Sequence, residues 1–476
     1  MVCGLRICVM DPRISRSSLL DLPNEVLLKI IEEETRHKDF ENLTLCCKEL
    51  YTLAARARAK HLQTKRKFST FIVGDLHLYN GLEEPVVPRE VHPVFALQEL
   101  LAHQDVAVEY CRTLKLGGVT SAGYVTGQYD ADVTDEAFTI TQKLAPQLKA
   151  LTEQEPFADT DEWFERQLEG VCCLPYAVPL TFLHNITALE LVNCSELLQG
   201  LDDHVWNDHN VFSGLQTSHH SLQEVRLLGT HDEGAEFEVL ASFTDIPSVR
   251  RLYGLHVVAN SKKIEEGDFP YTRFHGITEI HIECSSIGSP YFARLLGSIG
   301  ALEDFYYEHN QSIDDQAPCS GRKIICALQQ HARETLQTLT YLDSSQESRG
   351  KESYMCYRTS LQDFLVLRHV AIEYPILKHE HGVWCDEVSM RMYKLVDVMP
   401  RTLETLELFG PMSDIEVALL FSGLRERREE RLPKLRKISM KRDLNLDQEV
   451  QDDCKELGIE LATVDQPKKK YPHEDY

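Results

Sequence analysis

The sequence predicts an α/β protein in which a short helical module precedes a long, irregular solenoid of strands and helices. Three observations lead to this fold class. Residues 19–62 contain no glycine and carry apolar residues at helical spacing. Beyond them, one short apolar pattern recurs along the chain, with helix-like segments between its copies. Strands that alternate with helices favour a parallel sheet.

The composition limits the classes of partner. The chain has 476 residues and a formal net charge of -25, from 75 acidic and 50 basic residues. Such an excess of negative charge repels a phosphate backbone, so nucleic acid is not an expected partner. No apolar run approaches the roughly 20 residues that span a bilayer, so no membrane partner is expected. The 14 cysteines form no C-x-x-C motif, which favours reduced thiols in a cytoplasmic or nuclear protein.

Changes in composition divide the chain into four segments. We expect a flexible N-terminus over residues 1–18, a helical module over 19–65, a solenoid over 66–465 and a flexible tail over 466–476.

The helical module should begin its first helix at Pro23, because proline at the first helical position loses no intrahelical hydrogen bond. A polar break over residues 35–39 ends this helix, and a second apolar stripe runs from Phe40 to Ala54. About 45 residues in three short helices cannot bury all this apolar surface alone. A partner, or the rest of the chain, must therefore cover the remainder.

Two runs in this module carry a resemblance to a known family. The run LPNEVLLKII, residues 22–31, resembles the opening of an F-box, and LTLCCKELYTLA, residues 43–54, resembles its closing half. The resemblance implies a three-helix F-box that docks on a Skp-type adaptor, and through it on the cullin of a ubiquitin ligase. The alternative is that the stripe packs only against this chain, as most amphipathic helices do. The adaptor-binding residues that the resemblance implies are Leu22, Pro23, Val26, Leu27, Ile30, Ile31, Leu43, Cys47 and Leu50.

The recurring pattern is an apolar residue, a second three positions later and a third two positions after that. Anchors between Leu189 and Leu339 lie 25 to 36 residues apart, whereas leucine-rich repeats run about 20 to 29 residues. The pattern thus predicts an irregular, leucine-rich-repeat-like solenoid, and residues 94–119 resemble the first repeat of fungal F-box proteins. An ordinary α/β domain is the alternative. The copies are Cys111/Leu114/Leu116, Ile186/Leu189/Leu191, Leu222/Val225/Leu227, Ile277/Ile280/Ile282, Leu302/Phe305/Tyr307, Leu336/Leu339/Tyr341, Leu403/Leu406/Leu408 and Leu435/Ile438/Met440, with weaker ones at Val249/Leu252 and Leu361/Phe364/Val366.

In such a solenoid the last two apolar positions of each copy point inward along a short strand. The residue between them faces the concave surface. A helix then returns the chain to the next strand. The predicted helices are 94–103, 135–151, 161–168, 291–299, 322–333, 386–398 and 415–430.

One motif suggests catalysis. An apolar strand that ends in Asp75-x-His77 is typical of two-metal phosphoesterases, and His379 and His381 offer a later ligand pair. Because the further ligands of such a site are missing from the sequence, Asp75 and His77 are better interpreted as turn residues. A zinc site with Cys385 and a calcium loop at residues 130–135 are equally incomplete. We therefore predict no catalytic residue, metal or cofactor.

The sequence favours a substrate-recognition subunit of a ubiquitin ligase. Residues 19–65 would recruit the adaptor, and the solenoid would present a client protein. Two alternatives stay open: a repeat scaffold without a ligase role, and a metal-dependent phosphoesterase.

Overall fold

The strands of the repeat region form one open parallel sheet. The computed structural model describes residues 19–74, 93–117, 136, 139–147, 179–180, 182–192, 220–229, 234–243, 246–259, 276–310, 319–343, 360–377, 394–410, 412–441 and 448–464. Its strands are β1 (Thr70–Val73), β2 (Thr113–Gly117), β3 (Ala188–Val192), β4 (Glu224–Leu228), β5 (Ala235–Glu236), β6 (Arg251–Leu255), β7 (Val257–Ala259), β8 (Glu279–Ile287), β9 (Asp304–His309), β10 (Thr338–Asp343), β11 (His369–Glu373), β12 (Thr405–Phe409), β13 (Lys437–Lys441) and β14 (Glu460–Val464).

The order of the strands in the sheet follows the order of the chain. Twelve strands pair side by side from β1 to β14, and only β5 and β7 lie off this path. Every described pair is parallel. This confirms the predicted parallel sheet, and it shows a solenoid in which each unit adds a strand beside the previous one.

Helices precede the sheet and connect its strands. In the N-terminal region they are α1 (Asn24–Lys29), which continues as one π-helical stretch (Ile30–Glu34), α2 (His37–Leu45), α3 (Lys48–Leu53) and α4 (Ala55–Lys67). In the repeat region they are α5 (Pro93–Ala102), α6 (Gln104–Tyr110), α7 (Phe237–Ser242), α8 (Ser289–Ser298), α9 (Gly321–His331), α10 (Tyr374–Leu377), α11 (Leu395–Val398), α12 (Asp414–Phe421), α13 (Leu424–Arg431) and α14 (Gln448–Glu456).

The apolar pattern explains the burial of the strands. On β9, for example, Phe305 and Tyr307 are fully buried, and Tyr306 between them is half-buried on the opposite face. The same alternation places each strand's two anchors against the helices. One hydrophobic core therefore runs along the repeat region, from Phe68 to Ile459.

All eight strong copies of the pattern coincide with strands, and the weaker copy at Val249/Leu252 coincides with β6. The copy at Leu361/Phe364/Val366 was wrong as a strand prediction. The strand there is β11, which pairs with β10 through His369 opposite Thr338. Its anchors are Val370 and Ile372, whereas Leu361 and Phe364 are buried in the turns before it.

The helix predictions need two corrections. The N-terminal region contains four α-helices rather than three, because the chain turns at Ala54 between α3 and α4. The predicted helix 415–430 is divided into α12 and α13 at Gly423, which adopts a φ of 76°, a conformation that favours glycine. The predictions 94–103, 291–299 and 322–333 correspond to α5, α8 and α9.

Other predictions fall wholly or partly outside the described residues. Segment 161–168 and the predicted flexible ends, 1–18 and 466–476, lie outside them, and 135–151 and 386–398 are described only in part. Among the helices that the structure describes, none is both long and apolar enough to cross a bilayer.

Candidate functional site

The start of the helical region exposes a group of large apolar side chains, here called the N-terminal apolar patch. It comprises Leu19, Leu20, Leu22 and Val26, which are 41%, 44%, 38% and 42% exposed. Pro23 follows the three leucines and precedes α1, which carries Val26, and its extended backbone turns the chain into the helix. Leu22, Pro23 and Val26 all belong to the predicted adaptor-binding set, and all three are exposed.

The rest of the predicted set lies deeper. Leu27, Ile31 and Leu50 are buried in a small core, together with Phe40, Ala54 and Ala57. Leu43 and Cys47 pack against this core and are half-buried, as is Ile30. The Cys47 sulfur also accepts a hydrogen bond from the Leu50 amide at the start of α3. These side chains therefore hold the helices together, and the exposed members of the set are the ones available to a partner.

A polar cluster joins the N-terminal helices to the first repeat unit. The Tyr110 hydroxyl on α6 lies 3.0 Å from the Nδ1 atom of His61 and donates to the His37 carbonyl at 3.2 Å. The Nε2 atom of His61 is 3.4 Å from a Glu41 carboxylate oxygen, and the Phe40 ring stacks on the imidazole. Burial lowers the pKa of His61. The helices are thus packed on the repeats while their apolar patch stays exposed.

The second candidate surface is the face of the sheet opposite the core. Strand register aligns the residues between the inward anchors into one row, here called the central row. Residues in register on neighbouring parallel strands lie about 4.8 Å apart, so their side chains stand side by side. The central row consists of Ile72, Lys115, Glu190, Arg226, Tyr253, His281, Tyr306, Thr340, Ala371, Glu407, Ser439 and Ala462.

From β2 to β4, the central row forms an ion-pair ladder together with neighbouring outward residues. The Lys115 ammonium lies 3.2 Å from Glu190, and both side chains are buried. Arg226 approaches Glu190 at 3.9 Å and forms a close pair with Glu224, whose other oxygen is 2.8 Å from Arg251. Acidic and basic groups alternate here, so the charges of this part of the face are satisfied within the chain.

An aromatic stack follows the ladder. The Arg226 guanidinium lies 5.8 Å from the centroid of the Tyr253 ring. Tyr253 and His281 stack with centroids 5.1 Å apart, and His281 and Tyr306 stack at 4.1 Å with nearly parallel planes. The Nε2 atom of His281 is 2.6 Å from Glu283. Three rings on three neighbouring strands thus form a continuous half-buried surface, here called the aromatic stack.

Basic residues border the aromatic stack only on its β4 and β6 side, where Arg226 and Arg251 lie. The outward positions of β8 to β12 hold two histidines but no lysine or arginine. Glu279 and Asp304 lie opposite each other on neighbouring strands. Burial raises the pKa of Asp304, and the adjacent charge of Glu279 raises it further. The acidic residues at these positions are Glu279, Glu283, Asp304, Glu308, Glu373 and Glu407.

Comparison with known families agrees with this architecture. A family model described as a leucine-rich repeat domain matches residues 207–469, more than half of the chain. The chain belongs to this leucine-rich repeat family. The matched span includes β4 to β14, and hence the aromatic stack and its acidic surroundings. The repeats stack into an extended surface of the type that binds proteins.

The match begins after the N-terminal helices, and no F-box family model matches residues 19–65, so the comparison does not support the F-box resemblance, which stays a prediction. No curated protein matches the chain.

The candidate metal residues Asp75, His77, His379, His381 and Cys385 lie outside the described residues, as does the acidic loop at 130–135. Within the described ranges, no group of three or more histidine, cysteine, aspartate or glutamate residues could hold a metal ion. The strand before Asp75 is β1, whose Phe71 and Val73 are buried anchors. With Phe68 they repeat the apolar pattern, so β1 is the first strand of the repeat sheet.

The sequence-based prediction missed the aromatic stack, although a signal was present. Tyr253, His281 and Tyr306 each occupy the position between two strand anchors. Superimposing the copies of the pattern would have placed these three rings side by side. Residue types alone give no such indication, because the three are separated by 28 and 25 positions in the chain.

Proposed function

We propose that this leucine-rich repeat protein is a receptor that brings a client to a ubiquitin ligase. Its repeat domain binds the client, and its N-terminal helices dock on a Skp-type adaptor that is joined to a cullin. The repeat family and the wide outward face of the sheet support the client-binding half of the proposal. The adaptor-binding half rests on the N-terminal apolar patch.

The N-terminal apolar patch gathers several exposed apolar side chains in one short segment. Four large apolar side chains are exposed within residues 19–26, although the region has its own core in which Leu27 and Ile31 are buried. Covering the exposed part of each side chain would contribute on the order of 1 kcal/mol. Leu22, just before α1, and Val26 within it are four residues apart, and exposed apolar side chains at the start of a helix suit insertion into an apolar groove. This is the observation that carries the proposal.

The test is capture of a purified Skp-type adaptor by the full chain and by two double variants. Leu22→Ala with Val26→Ala removes apolar surface from the patch without entering the core. Leu365→Ala with Ile415→Ala is the matched control, because these side chains are also exposed but lie on the repeats. Circular dichroism checks that all three proteins are folded.

We expect the wild type and the control to capture the adaptor, and the patch variant to lose at least about tenfold in affinity. A tenfold loss corresponds to about 1.4 kcal/mol. This is less than the roughly 2 kcal/mol that covering the two truncated side chains would contribute. If the wild type captures no adaptor, the chain is better described as a repeat scaffold without a ligase role. Equal losses in the patch and control variants would contradict the assignment of the docking site.

A further inference from the structure

We infer that the outward face of β6 to β12 binds a basic segment of a protein, with lysine or arginine side chains on the aromatic stack among the surrounding carboxylates. This inference deepens the proposed client-binding role of the repeat domain and rests on it. It is independent of the adaptor.

The aromatic stack suits a cation. The face of an aromatic ring carries negative charge density and attracts an ammonium or guanidinium group within about 6 Å. The chain already uses this interaction at one end of the stack, where Arg226 lies 5.8 Å from the Tyr253 centroid. Next to it, the faces of His281 and Tyr306 stack on each other, so the ring face left for a ligand is the outer face of Tyr306, towards β10 and opposite the Arg226 end. A ligand cation would continue the arrangement that Arg226 begins.

The charge distribution points to the same ligand. From β2 to β6, Lys115, Arg226 and Arg251 neutralise the acidic residues of the face. From β8 to β12 the described outward positions contain no lysine or arginine. Glu279 and Asp304 then face each other as like charges, which is destabilising on neighbouring strands. A bound cation between them would remove this repulsion. The ligand would thus provide the positive charge that Lys115, Arg226 and Arg251 provide from β2 to β6.

The size of the face favours a chain segment over a single small cation. The path from β6 to β12 crosses five strand spacings, which at about 4.8 Å each is roughly 24 Å. An extended peptide rises about 3.3 Å per residue, so about seven residues would cross it. Glu407 on β12 lies near the far end of this path. Since the chain's net charge of -25 repels nucleic acid, the fitting occupant is a basic protein segment.

The test measures fluorescence anisotropy of a labelled ten-residue lysine peptide with the full chain at physiological salt. The same peptide with acetylated side chains keeps its length but lacks the charges. The variant Glu279→Gln with Asp304→Asn removes two acidic groups from the face. The matched control, Glu429→Gln with Glu430→Gln, removes two exposed acidic groups from α13 and changes the net charge equally.

We expect the lysine peptide to bind the wild type and the control alike, the face variant to bind about tenfold more weakly, and the acetylated peptide not to bind. Tyr306→Leu keeps every charge and should weaken binding about threefold through loss of the cation–aromatic contact. Glu407→Gln provides a single-site variant if the double variant unfolds.

Three results would overturn the inference: no binding by the wild type, equal weakening in the face and control variants, or wild-type affinity in both Tyr306→Leu and the face variant. Equal weakening would mean that the overall negative charge attracts the peptide. Because no adaptor is present, these results are separate from the adaptor capture experiment. If the wild type captures the adaptor but does not bind the lysine peptide, the inference is refuted and the adaptor-docking proposal stands.

Discussion

Replacing Leu367 by alanine should destabilise the repeat sheet far more than the same change at Leu365, two residues away. The Leu367 side chain is fully buried, whereas that of Leu365 is 57% exposed. The backbones of both residues are hydrogen bonded, Leu365 to the Arg333 carbonyl and Leu367 from the Thr402 hydroxyl. The two variants therefore differ mainly in side-chain burial.

The expected magnitudes follow from that burial. Removing three buried carbons at Leu367 costs about 2.4 kcal/mol of transfer free energy, and the cavity that remains raises the total to roughly 3 to 4 kcal/mol. At Leu365 more than half of the side chain is already in water, so the cost should stay below about 1 kcal/mol.

Hydrogen exchange followed by mass spectrometry is the suitable assay, because repeat proteins open locally rather than in one global step. Peptides that cover β10, β11 and β12 should exchange faster in Leu367→Ala and nearly as in the wild type in Leu365→Ala. Similar exchange in the two variants would show that the burial assigned to Leu367 and the exposure assigned to Leu365 are wrong.

Two further predictions concern buried hydroxyl and imidazole groups. Because burial lowers the pKa of His61 below its usual 6.5, the stability it contributes is present above pH 6.5 and is lost as the pH falls through its folded-state pKa. Amide hydrogen exchange in α2 and α4 should therefore rise between pH 6.5 and 5, after correction for intrinsic rates. The rise should be smaller in His61→Gln, and an equal rise in the wild type and the variant would contradict the role given to His61. Tyr307→Phe removes the hydroxyl that accepts from the Ile287 amide at 3.0 Å. The free energy of local opening around β8 should fall by about 1 to 3 kcal/mol, and an unchanged exchange rate there would contradict it.

The strands were predictable because their signal is local. Each of the eight strong copies of the apolar pattern carries its two anchors within three positions, and burial of those anchors fixes a strand wherever a neighbour is available to pair. The pattern failed at Leu361 because buried turn residues can show the same spacing as a strand. It also missed β14, whose Leu461 is only half-buried at the edge of the sheet.

The candidate surfaces were harder to predict from the sequence than the strands. The resemblance at residues 22–31 indicated a docking helix, but only the packing separates the exposed Leu22 and Val26 from the buried Leu27. The aromatic stack depends on strand register, which brings Tyr253 beside His281 and His281 beside Tyr306 across long connections. The ion pair between Lys115 and Glu190 likewise joins residues 75 positions apart, so neither feature is visible in a local pattern.

Because the strands of the sheet follow chain order, the number of repeats between two features sets the distance between them. The N-terminal helices adjoin the β1 end, and six strand spacings separate β1 from β9, where Tyr306 lies. At about 4.8 Å each, this places the stack roughly 29 Å along the sheet from that end. Insertion or deletion of one repeat between them would change the distance by a single spacing. In a ligase receptor, such a change would move a bound client relative to the ubiquitin-loading enzyme and alter which of its lysines come within reach.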